Sequence, residues 1–179
     1  MPVGPAGLVD VRSAGTFGLT GRPMDDTAAA ALAEHGCSAD GFVARRLDHE
    51  ILAGADLVLT ATRTHRAEVV RMLPRASRST YTLREFARLA EAVDVVGLQP
   101  LLDQQRDPVQ RMRLAVEEAR MQRGLVPSGD PDDDDVSDPY RLTLEDYRRA
   151  AQTIATCVAS VAELLVSALN VPETDLRAR

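Results

Sequence analysis

A continuous apolar run at Ala55 to Thr60, followed at once by helix signals, restricts the fold of this 179-residue chain more than any other feature. Uninterrupted apolar residues predict a strand buried on both faces, which is typical of parallel sheets. Alternating polar and apolar residues predict an earlier strand at Val9 to Ser13, and Ser79 to Thr82 predicts a third. Helices follow the second and third strands. This order predicts an α/β fold with a parallel sheet flanked by helices, in which residues 57 to 59 form the most buried strand.

The rest of the chain predicts further helices within a single domain, residues 1–179. One helix covers Thr27 to His35 and another Asp107 to Gly124, and a helical and acidic insertion spans about residues 93–136. The acidic run Asp132 to Asp135 is interpreted as a solvated loop. The last helix begins at Thr143, and apolar residues three and four positions apart predict its core face. These residues are Tyr147, Ala151, Ile154, Val158, Val161, Leu165 and Ala168.

Composition excludes several classes of protein. A net charge of −6 excludes a global basic field for nucleic acid or an anionic membrane. The two cysteines, Cys37 and Cys157, are too few for a disulfide framework, and no spacing of His and Cys is typical of a metal site. Neither a signal peptide nor a stretch near the roughly 18 apolar residues of a membrane span is evident. We therefore expect a cytoplasmic protein that needs no metal or cofactor.

Several short segments, in the same order along the chain, resemble the low-molecular-weight protein tyrosine phosphatase family. Each segment alone is a weak signal, but the collinear series covers most of the chain. The resemblance implies a three-layer, phosphotyrosine phosphatase I-like fold. The segments are Val11 to Thr16, Gly21 to Asp25, Phe42 to Leu47, Ala55 to Leu59 with His65-Arg66, Thr82 to Phe86, and Asp138-Pro139-Tyr140.

The resemblance also implies roles for individual residues. Asp138 would be the general acid that protonates the departing phenolic oxygen and later activates water. Tyr140 would form one wall of the substrate cleft, and Phe17 or Leu19 the other. Ser13 would brace the phosphate-binding loop from a neighbouring strand end. The substrate would be a phosphotyrosine protein or a small phosphomonoester.

The chain departs from the family at the nucleophile. Family members carry a C-x5-R-[ST] loop, whose Cys attacks phosphorus and whose Arg binds the phosphoryl oxygens. Here Cys37 is followed six residues later by Val43, and Cys157 by Glu163. The family's first strand, loop and helix would stand before residue 8. We therefore expect a chain with a truncated or misassigned start, inactive as given. With its central strand missing, it should be poorly stable, aggregation-prone or rearranged.

Alternative interpretations remain for the function and for single residues. One alternative function is that of a non-catalytic binding module with a degenerate phosphatase fold. Another is arsenate reduction, which would need cysteines that the chain lacks. From spacing alone, Asp138 before a proline is an ordinary turn residue. Cys157 is interpreted as a packed thiol and Cys37 as an inert one. His65-Arg66 could bind an anion or serve only to start a helix.

Overall fold

A computed structural model describes residues 7–17, 19–127 and 130–169 of the chain. Seven α-helices and two β-strands occur in these ranges. The elements that form the sheet or lie next to it are α2, His49–Ala53; β1, Val58–Thr60; α3, Arg63–Met72; β2, Thr80–Thr82; and α4, Leu83–Glu91. The others are α1, Asp26–Glu34; α5, Val95–Leu102; α6, Pro108–Met121; and α7, Leu144–Leu169, with short 3-10 helices at Pro74–Arg78 and Pro131–Asp134.

The two strands form a parallel ladder in which Val58 lies opposite Thr80 and Thr60 opposite Thr82. The predicted parallel sheet with helices is confirmed, but the prediction that residues 57 to 59 are the most buried strand is wrong. All three residues of β2 are buried, whereas Leu59 is 36% exposed. Alternation in a parallel ladder directs the N–H and C=O of Leu59 away from β2, and the described ranges contain no third strand on that side.

The strand predicted at Val9 to Ser13 does not form among the described residues, and residues 10–14 are exposed. The chain instead meets a later loop at an isolated bridge between Gly15 and Arg46. There Gly15 donates to the carbonyl of Arg45 at 3.0 Å and accepts from the amide of Leu47 at 2.9 Å. A strand requires a continuous hydrogen-bonding neighbour, and among the described residues no ladder joins Val9 to Ser13 to another segment.

The largest core cluster lies where α4 packs against α7 and the α5–α6 pair. Tyr81 and Phe86 lie at its centre with ring centroids 5.1 Å apart, an attractive tilted arrangement. The segment interpreted as an insertion supplies buried side chains from α5 and α6, so it completes this core and does not only cover its edge. The buried members are Tyr81, Phe86, Leu89, Ala90, Val93, Leu98, Leu102, Ala115, Ala119, Leu164 and Ala168.

Helix α7 buries a different face from the predicted one along its middle. Tyr147 and Ala168 are buried as predicted, but Ile154 and Val158 are 42% and 50% exposed. No described element packs over these two residues. Other elements therefore cover the predicted apolar stripe of α7 only near its two ends. By length and composition alone, α7 is also apolar enough to cross a membrane, contrary to the expectation that no stretch comes near this limit. In the structure it packs against α1, α4, α5 and α6.

One buried cation joins the ends of two core helices. The Arg111 side chain, on a residue only 4% exposed, donates from Nε to the carbonyl of Ala168 at 2.7 Å and from Nη1 to that of Leu102 at 3.0 Å. These carbonyls lie at the carboxyl ends of α7 and α5, where the helices leave acceptors unpaired and the helix dipole favours a positive charge. Arg111 therefore fixes α5 and α7 to α6.

We predict that Arg111→Ala lowers the free energy of unfolding by about 2–4 kcal/mol, because two buried carbonyls lose charged donors. Urea denaturation measures this loss. The matched control is Arg113→Ala on the same helix, whose ion pair with Asp56 is exposed and should contribute at most about 1 kcal/mol. Equal losses in the two variants would contradict the role assigned to Arg111.

Candidate active site

The candidate site lies where the two parallel strands end, because the carboxyl ends of such strands meet at one edge of the sheet. Thr60 is the last residue of β1, and its hydroxyl donates a hydrogen bond at this edge of the sheet. The carbonyl oxygens of Thr62 and Tyr81 lie 3.0 and 3.2 Å from its Oγ1. Helices α3 and α4 begin directly afterwards. Thr62 and Thr82 are their N-caps, so both helix N-termini lie at the same edge.

His65 and Arg66 have structural partners in the first turn of α3. The amide of His65 donates to Oγ1 of Thr62 at 3.2 Å, and its Nδ1 lies 2.9 Å from the same oxygen. Nε of Arg66 donates to the carbonyl of Thr80 at 3.1 Å. These contacts favour the interpretation that the pair starts the helix over the interpretation that it binds an anion.

The end of the acidic run packs on this edge of the sheet, so the interpretation of Asp132 to Asp135 as a wholly solvated loop is wrong. Oδ1 of Asp135 accepts from the amide of Arg63, the first residue of α3, at 2.7 Å. The carbonyl of Asp135 accepts from Nη1 of Arg84 at 3.2 Å. We call residues 134–136 the anchor segment. Their charged partners are far away in sequence, so the run itself carried no sign of this packing.

The two other residues of the anchor segment add an ion pair and a backbone bond. Asp134 pairs with Arg88 at 2.9 Å, and the two side chains are only 16% and 30% exposed. The amide of Val136, a residue 6% exposed, donates to the carbonyl of Ala61 at 2.9 Å. Each residue of the segment thus bonds to α3, α4 or the loop between β1 and α3.

Asp138 follows the anchor segment and is exposed to solvent. Its Oδ1 accepts from the amide of Tyr140 at 3.0 Å, the hydrogen bond of an Asx-turn. The Tyr140 ring is 53% exposed, and the guanidinium of Arg141 lies 5.2 Å from its centroid. Arg141 has a φ of 64°, which turns the chain toward α7. The turn bond uses one carboxylate oxygen, so a proton-donating role and a turn role are compatible.

Tyr147 lies close to this loop and was missed as a site residue because it was interpreted only as part of the core. Burial raises the pKa of the Tyr147 phenol. The carboxylate of Asp25 accepts a hydrogen bond from this phenol and raises its pKa further, and the charge of Asp138 acts in the same direction. Asp25 is also the N-cap of α1. The α1 N-terminus, Tyr147 and the Asp138 loop are therefore neighbours.

The other predicted substrate-binding residues lie in an exposed segment. Phe17 and Leu19 are 83% and 64% exposed, and Ser13 is exposed as well. The hydrogen bonds of this segment run through Gly15 and Gly21 to residues 44–47. Their roles beside Asp138 stay predictions.

Neither cysteine has the environment of a nucleophile. Cys37 is exposed, with Sγ 3.7 Å from the carbonyl of His35. Burial raises the pKa of the Cys157 thiol; the positive charge of Arg84 opposes this, and Glu91 reinforces it. A thiol with a raised pKa is protonated near neutral pH and attacks slowly.

Two clefts outside the Asp138 loop are visible in the described ranges. The larger, of about 430 Å³, lies between α1 and α7 and is lined by charged residues such as Glu34 and Arg148. The other, of about 230 Å³, lies between the end of α4 and α7. Within the same ranges, no group of three or more His, Cys, Asp or Glu side chains is arranged to hold a metal ion.

Comparison with known proteins places this geometry in context. The sequence model described as "Low molecular weight phosphotyrosine protein phosphatase" matches residues 3–123. The low molecular weight protein-tyrosine-phosphatase Etp of Escherichia coli K12, and its counterpart in strain O157:H7, are 35% identical over 86 residues, or 48% of this chain. The match spans only 58% of the length of these relatives.

A solved structure shares the fold. Vibrio vulnificus Wzb in complex with benzylphosphonate superposes with a TM-score of 0.51, over 81% of this chain and 70% of that one. The identity is 17%, so this likeness concerns the fold alone. It agrees with an α/β architecture in which helices surround a parallel sheet.

We predict that replacing Asp25 by Asn lowers the pKa of Tyr147 toward the ordinary value near 10, because the variant removes a negative charge but keeps an oxygen that can cap α1. Tyrosinate absorbance during an alkaline titration measures this. In the native chain the raised pKa stabilises the fold fully below about pH 10, and this contribution is lost as the pH rises through the folded value.

The Tyr147→Phe variant identifies which titration step belongs to Tyr147. It should remove one tyrosine titration at high pH and leave the titration of Tyr81, because burial raises the pKa of Tyr81 as well. If Tyr147 titrates at the same pH in the native chain and in the Asp25→Asn variant, the contact between Tyr147 and Asp25 is contradicted.

Proposed function

Because the chain belongs to the low molecular weight phosphotyrosine protein phosphatase family, we propose that it serves the hydrolysis of aryl phosphomonoesters, with Asp138 as the general acid. The substrate class is a phosphotyrosine protein or a small aryl phosphate, in the cytoplasm. The benzylphosphonate bound to Vibrio vulnificus Wzb combines an aromatic ring with a tetrahedral phosphonate, which supports an aryl phosphate as the substrate to test first.

The observation that carries the proposal is an exposed carboxyl group on a loop that is fixed to the carboxyl end of β1. In the proposed reaction a thiolate attacks phosphorus, the bond from phosphorus to the phenolic oxygen breaks, and the proton of Asp138 passes to that oxygen. The carboxylate then takes a proton from water, which attacks the phosphocysteine and releases phosphate. Tyr140, two residues after Asp138, has an exposed ring that would contact the aromatic leaving group.

The thiolate itself has no candidate in the 179 residues, since neither Cys has an Arg six positions later. Concave backbone N–H groups and such an Arg are what lower a thiol pKa and hold phosphoryl oxygens. We therefore propose that these residues alone do not turn over substrate. A nucleophile has to come from residues other than these. A non-catalytic binding module is the alternative, and the missing nucleophile is the observation that favours it.

The test compares two proteins in an assay with 4-nitrophenyl phosphate. The first is the chain as given, which should show no turnover that depends on Cys37 or Cys157. The second is a chimera that places a family member's N-terminal strand, C-x5-R-[ST] loop and helix ahead of Gly7. It should be active, and Asp138→Asn should reduce its turnover of phenyl phosphate by about 10²–10⁴-fold.

The control in the chimera is Asp133→Asn, which removes the same charge from the exposed part of the acidic run. Activity of the chain alone that is lost on Cys37→Ser or Cys157→Ser would mean that a nucleophile is present after all. An active chimera that is indifferent to Asp138→Asn would remove Asp138 from the mechanism. A chimera that folds and binds inorganic phosphate without turnover would favour the binding module.

A further inference from the structure

We propose that Asp134 and Asp135, which lie outside the resembled motif, are positioning residues that hold Asp138 at the carboxyl end of β1. The inference rests on the proposed function for its chemical meaning, but its structural content stands on the contacts of the anchor segment. Asp135 bonds to two different helices at once, through its side chain to Arg63 of α3 and through its carbonyl to Arg84 of α4.

The distance along the chain makes this anchoring effective. Val136, whose amide bonds to Ala61, is two residues before Asp138, so their Cα atoms lie at most about 7 Å apart. Ala61 is the residue directly after β1. A fixed Val136 therefore keeps the carboxyl group of Asp138 near the end of the sheet, while Ser137 and Asp138 stay exposed.

The ion pair of Asp134 is better placed than an ordinary surface pair. Its partner Arg88 has a buried Nε for which no acceptor is found among the described residues. The guanidinium is thus partly removed from water, and the mutual attraction of the pair is less screened than on an open surface. Losing Asp134 would leave this guanidinium without its carboxylate, which would favour movement of the loop.

The alternative is that the acidic run only keeps the chain soluble. In that case the carboxylates of the run would be equivalent, but the structure distinguishes Asp133 from Asp134 and Asp135. Asp133 is exposed, and the hydrogen bond that its side chain makes within the described residues is a local one, accepted from the amide of Asp130 at 3.1 Å in the same turn. Asp134 and Asp135 instead contact residues 46 to 72 positions away. Asp133 is therefore the matched control for both.

The first arm of the test uses the 179-residue chain and measures amide hydrogen exchange residue by residue. Asp135→Ala should speed exchange at Val136, at Asp138 and at residues 140–142 by about 10-fold, since the charged hydrogen bond between the Asp135 carboxylate and the amide of Arg63 is lost, without affecting the core of α4. Asp134→Ala should act in the same direction and Asp133→Ala should not. Asp135→Asn should restore most of the protection, because its amide oxygen can still accept from Arg63.

Unchanged exchange in Asp135→Ala, equal acceleration in Asp133→Ala, or a failure of Asp135→Asn to restore protection would each overturn the proposal. A variant that unfolds globally would show faster exchange in α4 as well. In that case the exchange rates of Asp135→Asn decide whether the anchor exists. These outcomes do not depend on catalysis, so they separate a failed anchor from a failed function.

The second arm uses the active chimera and compares two leaving groups. A misplaced general acid should slow phenyl phosphate, whose leaving group needs a proton, more than 4-nitrophenyl phosphate, whose leaving group does not. We expect Asp135→Ala to lower turnover of phenyl phosphate by about 10- to 100-fold and of the nitrophenyl ester much less. Equal loss on both esters would mean that Asp135 supports only the fold. An inactive chimera refutes the proposed function and leaves the exchange result to decide the anchor.

Discussion

The parallel pairing of β1 with β2 is the constraint on which the candidate site depends. Its register places Thr60 and Thr82 side by side, so α3 and α4 start at the same edge of the sheet. Only this arrangement lets one residue, Asp135, bond to the first amide of α3 and to an arginine of α4. The loop that carries Asp138 is therefore fixed by the sheet, although none of its residues belongs to a strand.

Local signals allowed much of this part of the fold to be predicted from sequence. The apolar run before Thr60, the helix signals that follow it and the cap-proline pair at Asp107-Pro108 each determine structure within a few residues, and the strands and helices there are confirmed. Pairings between distant segments could not be predicted in this way. The strand predicted at Val9 to Ser13 does not form among the described residues, where no ladder joins it to another segment.

Burial was harder to predict than secondary structure for the same reason. The stripe of α7 was correct at Tyr147 and Ala168, but Ile154 and Val158 are exposed because no described element covers them. Leu59 in β1 is likewise 36% exposed, although the run around it is apolar. A periodic pattern shows which face is apolar, whereas what covers that face depends on the rest of the fold.

The site was predicted unevenly. The motif that Asp138 shares with Pro139 and Tyr140 predicts it as the general acid, beyond the residues matched by the family's sequence model, and this role stays a prediction. Asp25, Asp134 and Asp135 were missed as site residues, because their importance depends on partners that come close only in the folded chain.

The central claim is that Asp135 acts on the reaction through Asp138. The most direct measurement is a double-mutant cycle on turnover of phenyl phosphate by the active chimera, with Asp135→Ala, Asp138→Asn and both together. If the account is correct, Asp135→Ala slows the parent but has no further effect once Asp138 is Asn. Effects that multiply in the double variant would show that Asp135 acts independently of Asp138 and would contradict it.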